Sequence, residues 1–147
     1  MKVFLRLVLV LFASTIANVS LASDKECLSP HTKYDVCKAA REIQESMAPM
    51  LPMTMNANMT LTSVAAIGPI FAYYVRWTQT WPEIEAAMQN AGTTKAALLQ
   101  MMDAQTNAII CGQETTAAFI GLGGTVQYHY ITSDAVPVTT TVVSSCP

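Results

Sequence analysis

The chain has 147 residues, 52% of them hydrophobic and only 12% charged, with a formal net charge of −2. Beyond Lys2 and Arg6, six basic side chains face ten acidic ones, so there is no basic stripe for nucleic acid or anionic lipid to pair with. None of the four cysteines stands in a C-x-x-C spacing, which argues against a redox motif or a zinc knuckle.

Residues 1–22 read as a signal peptide. Lys2 and Arg6 give a positive start, Leu7 to Ile16 is apolar, and Ser20 and Ala22 are the small residues that precede a cleavage before Ser23. The apolar run is shorter than the ~20 residues a membrane span needs. A lipid anchor would need a cysteine at the new N-terminus, and Cys27 lies four residues beyond Ser23. The expected product is residues 23–147, one domain, periplasmic or secreted and free of the membrane. In an oxidising compartment an even cysteine count reads as two disulfides. Of the three possible pairings, Cys27–Cys37 and Cys111–Cys146 join segments that the elements below bring together.

Ser29-Pro30 breaks any helix at the start of the mature chain. Over 35–48 the spacing predicts a helix: Asp35 is a cap, and Val36, Ala40, Ile43 and Met47 share one face. Pro49 and Pro52 end it. From Ser46 to Val75 no side chain is charged, but the prolines there rule out a membrane helix. Two strands are predicted, 59–66 and 70–78, with Ile67-Gly68-Pro69 as their turn. Phe71, Tyr73, Val75 and Trp77 form the core face of the second. The competing reading makes 59–78 a helix, on account of Ala65, Ala66 and Ala72.

Pro82 opens a helix over 82–90 and Gly92 stops it. A third helix, 94–110, is expected to bury Leu98, Met101, Met102, Gln105 and Ile109. A short helical turn over 114–121 ends in Gly121, Gly123 and Gly124. Val126, Tyr128 and Tyr130 alternate with Gln127 and His129 in a strand, 125–132. After a turn at Ser133-Asp134-Ala135 the chain returns as an edge strand, 136–144, with Pro137 near its start. The prediction is α+β, order α-β-β-α-α-β-β: two hairpins pair into an antiparallel sheet of about four strands, with helices on one face.

A helix running into Leu51-Pro52, a strand pair ending in Tyr73-Tyr74, a helix ending at Cys111 and a glycine-led Tyr128-x-Tyr130 strand before Cys146 form a pattern. It resembles small exported bacterial α+β proteins of unassigned function. Where their last hairpin often turns at Asp-Gly, this chain has Asp134-Ala135. The resemblance implies a bacterial periplasmic or secreted protein and brings no catalytic residue with it.

Met47, Met50, Met53, Met55 and Met59 fall within thirteen residues. Thioethers are soft ligands that select Cu(I), so Met50, Met53 and Met55 are a candidate metal site. The same side chains equally suit core filling or an adaptable contact surface. His129 lacks a nucleophile in a recognisable setting, and His31 sits in the irregular N-terminal segment. The Gly121-x-Gly123-Gly124 run precedes a strand, whereas a phosphate cradle precedes a helix. No cofactor is implied. The expectation is a non-enzymatic exported module that binds another protein as an inhibitor, assembly factor or secreted effector; a periplasmic Cu(I)-binding protein is the alternative.

Overall fold

The computed structural model describes residues 26–147; the expected signal peptide, residues 1–22, and the expected cleavage after Ala22 lie outside the described residues. Helix α1 spans Val36–Met47 and runs into a 3-10 turn, Ala48–Met50. Strands β1 (Met53–Asn56), β2 (Met59–Ile67) and β3 (Ile70–Trp77) follow. Helices α2 (Trp81–Asn90), α3 (Lys95–Gly112) and α4 (Glu114–Gly121) lead to β4 (Thr125–Ile131) and β5 (Pro137–Val143). No helix of the described residues is long and apolar enough to cross a membrane.

The α+β class holds, but the sheet differs from the expected four antiparallel strands. It has five strands in the order β1-β2-β3-β4-β5, and β3 and β4 run parallel while the other neighbours are antiparallel. The element order is therefore α-β-β-β-α-α-α-β-β. Parallel neighbours need a long crossover. Here α2, α3 and α4 supply it, returning the chain to the end of the sheet where β3 began, so that Ile70 pairs with Thr125. Residues 59–78 are two strands joined at Gly68, whose φ of 58° suits glycine, and not a helix.

All four helices pack on one face of the sheet. Val36 and Ala40 of α1, Ile84 of α2, Met102 and Ile110 of α3, and Phe119 and Ile120 of α4 share a core with Phe71, Tyr73, Val75, Trp77, Val126, Tyr128, Tyr130 and Val143. The α3 face differs from expectation. Met102, Thr106 and Ile110 are buried, while Met101, Gln105 and Ile109 are exposed. Thr106 is admitted because its hydroxyl donates to the Met102 carbonyl (2.7 Å) and lies 2.7 Å from the Tyr130 hydroxyl.

The helix ends follow from local chemistry. Asp35 accepts from the Lys38 amide at 2.8 Å and Thr94 from the Ala97 amide at 3.2 Å. Thr80 and Glu83 form a capping box that draws the Glu83 carboxyl below its ordinary range. The glycine run after α4 is a helix stop: the Gly123 amide donates to Ile120 and the Gly124 amide to Phe119, with Gly123 at φ 100°.

Disulfides join Cys27 to Cys37 and Cys111 to Cys146. At the β4–β5 turn the Asp134 carboxylate accepts from the Thr132 hydroxyl and from the Trp81 amide (3.3 Å), tying the turn to the start of α2. These bonds hold the Asp134 carboxyl below its ordinary range. The next residue, Ala135, has φ 63°, a left-handed conformation that disfavours a Cβ. Ala135→Gly is expected to raise stability by about 0.5–1 kcal/mol, because relief of the left-handed strain exceeds the entropy that glycine adds to the unfolded chain. A lower urea midpoint for the variant would contradict this.

Candidate functional site

The uncharged segment after α1 builds one wall of a groove on the helical side of the sheet. Strand β1 pairs only with β2, at the sheet edge. From there Met53 and Met55, the latter at a register shift between Thr54 and Asn56, reach the same depression as Ile43, Ser46 and Met47 from α1. Ile109 and Gln113 close it from α3 and the turn that follows. The floor is Leu61, Tyr73 and Tyr128, and the volume is about 350 Å³. A smaller hollow of about 70 Å³ continues past Met55 and Ile109 to Met59, Met102 and Tyr130. On the other side, Ile43, Ser46 and Thr115 are shared with a cleft of about 370 Å³ between α1 and α4.

No lining residue of the central groove is charged. Its walls are apolar and reachable from solvent: Met53 is 40% exposed, Met55 37% and Ile109 41%. Its floor is polar at two points. Tyr73 and Tyr128 stack with centroids 4.4 Å apart, both nearly buried. Neither hydroxyl has a hydrogen-bond partner among the described residues, although neither is sealed from solvent. Burial pushes Tyr73 up to about 12, and burial with the neighbouring tyrosines pushes Tyr128 higher still. Both therefore stay protonated and present O–H donors to whatever enters.

Of the three methionines singled out from the sequence, Met53 and Met55 meet in this groove, whereas Met50, on the 3-10 turn, is 57% exposed and is not among the lining residues. Met47 takes its place. His129 lies on the opposite, helix-free face of the sheet. It stacks on Tyr74 (4.9 Å), with Nδ1 3.0 Å from the Thr140 hydroxyl. The Asp134 carboxylate is engaged by Thr132 and Trp81 and does not orient it. His31 is exposed in the N-terminal loop. Ile109 is the wall residue that sequence reasoning placed in the core. The signal for it was weak, because Ile109 and Ile110 are adjacent and only one of them can face inward.

No protein-family model matches the chain, and no curated protein matches it by sequence. Three solved structures share its fold. An inferred secreted protein of Pseudomonas aeruginosa is similar with a TM-score of 0.57 at 11% identity, covering 74% of this chain and 88% of that one. EpsS, a pilotin of the type 2 secretion system of Vibrio vulnificus, is similar with a TM-score of 0.58 at 10% identity, over 75% and 88%. AspS, the type II secretion system pilotin of Vibrio cholerae, gives 0.55 at 10% identity, over 74% and 88%. At such identities the likeness is one of fold, and it agrees with the resemblance to small exported bacterial proteins seen in the sequence.

Proposed function

We propose that this is an exported, non-enzymatic accessory module that holds a helical segment of a partner protein in the groove between α1 and α3. The carrying observation is the groove itself. It is uncharged and open, with flexible thioethers and two isoleucines on its walls and two unpaired hydroxyl donors on its floor. Methionine walls repack around different apolar side chains, and an amphipathic helix laid in such a groove buries its apolar face. A polar acceptor on that helix would meet Tyr73 or Tyr128 and fix its register. The fold likeness to two secretion-system pilotins favours an assembly-factor role over an inhibitor or effector. The signal-peptide pattern, with maturation at Ser23, and the two disulfides support a periplasmic or secreted location.

The test is site-specific photo-crosslinking in the native host. A photoreactive residue at Ile109 is expected to give one discrete adduct that Met55→Glu abolishes, since a buried unpaired carboxylate costs several kcal/mol. The same probe at Val142, on the helix-free face, is expected to give none. Adducts of equal yield at both positions, or none at Ile109, would refute the groove as the binding site.

A further inference from the structure

We infer that the thioethers of Met47, Met53 and Met55 form a binding site for a soft monovalent cation, Cu(I), at the β1 end of the groove. This goes beyond partner binding and does not depend on it. Three sulfur-bearing side chains line one depression from two elements: Met47 at the end of α1, Met53 and Met55 along β1. The register of β1 shifts between Thr54 and Asn56, and with that irregularity both Met53 and Met55 line the depression. Each thioether ends a chain with three rotatable bonds, so the sulfurs can close on one ion without moving the backbone. Met53 and Met55 are open to solvent, which gives an ion a path in.

The rest of the lining decides which ion fits. No carboxylate, imidazole or thiolate faces the groove, and among the described residues no cysteine is free. Zinc therefore finds none of its preferred ligands there, and calcium and magnesium find no carboxylate. An uncharged, largely apolar site also penalises a divalent ion more than a monovalent one. Neutral sulfur donors suit Cu(I), with three thioethers giving a complete trigonal set. The structure thus separates Met47 from Met50, a distinction that the sequence spacing alone does not make.

The experiment titrates the mature, oxidised protein with Ag(I), a Cu(I) surrogate that needs no reductant and so leaves both disulfides closed. Calorimetry and the methionine methyl resonances are read together. One equivalent is expected to bind, moving the Met47, Met53 and Met55 methyl signals and leaving those of Met50 and Met102 in place. Met47→Leu, Met53→Leu and Met55→Leu are each expected to weaken binding at least about tenfold, with Met50→Leu behaving as the wild type. Leucine preserves volume and apolarity, so these variants keep the fold; Ag(I) binding is read on the isolated protein and the Ile109 crosslink on the unsubstituted groove in the host, so a failure of one proposal is distinguishable from a failure of the other. No saturable Ag(I) binding by the wild type would overturn the assignment. So would a Met50→Leu defect equal to the other three, or Zn(II) binding as tight as Ag(I).

Discussion

Removing the Cys111–Cys146 bond with paired alanine substitutions is expected to lower stability by about 4 kcal/mol, on the chain-entropy argument for a loop of its length. The bridge spans 35 residues and closes α4, β4 and β5 into one covalent ring. The Cys27–Cys37 bridge spans 10 and is expected to contribute about 3 kcal/mol. Typical domains have about 5–15 kcal/mol in all, so either loss is a large fraction, and losing both should leave the chain largely unfolded at 37 °C. Alanine is the proper replacement at Cys37, which is buried, because serine there would add an unpaired hydroxyl. Urea midpoints of the two double variants give the comparison. If the longer loop costs less than the shorter one, unfolded-chain entropy is not the governing term.

The order of those two effects bears on where the chain operates. The Cys111–Cys146 bond anchors the C-terminal end of β5, an edge strand that pairs with β4 alone and packs against α3. Ile109, on the groove wall, lies two residues before Cys111. Reduction would therefore loosen the α3 wall together with the sheet edge opposite β1. A protein whose groove depends on such a bond suits a compartment where thiols are not kept reduced.

What was legible in the sequence was what depends on local period and punctuation. β4 alternates cleanly, Asp35 and Gly92 mark helix ends, and Pro137 opens an edge strand, where a residue without an N–H is tolerated. Two things were not legible. Met53–Asn56 is short and carries a single β-branched residue, Thr54, between methionines and an asparagine, too little to signal a strand; it is extended because β2 offers it a partner, through the Met53–Leu61 and Thr54–Thr60 pairs. The direction of β4 against β3 was hidden because it depends on how three intervening helices carry the chain, and no short window contains that. The α3 face failed for a different reason. Leu98-Leu99, Met101-Met102 and Ile109-Ile110 are apolar doublets, and a helix that is apolar on several sides does not fix its own rotation. Contact with Tyr130 through Thr106 does. The groove shares that fate: its methionines were conspicuous, but its far wall depends on which of two isoleucines turns outward.

Gly124→Ala is expected to cost about 3 kcal/mol, the upper end of what overpacking a filled core costs. A Cβ at this position would lie 2.4 Å from Cε1 of Phe119, 2.5 Å from Cζ and 2.7 Å from Cδ1. Phe119, on the buried side of α4, is 3% exposed, and the Gly124 amide is held by the Phe119 carbonyl at 3.0 Å, so the ring must shift toward the α1–α4 cleft or the hydrogen bond must stretch. Backbone strain does not enter, since φ at Gly124 is not positive, unlike that at Gly123. Gly121→Ala is the control. It sits inside α4 with nothing within 4 Å of its Cβ, and alanine there should stabilise by about 0.5–1 kcal/mol. Phe119→Leu removes the two closest colliding atoms, Cε1 and Cζ, so the Gly124→Ala and Phe119→Leu pair should be less destabilised than the sum of the singles by about 1–2 kcal/mol. Strict additivity in that cycle would mean that the ring is not what glycine makes way for. The stop after α4 would then be conformational only, and the close approach of β4 to the helix would need another cause.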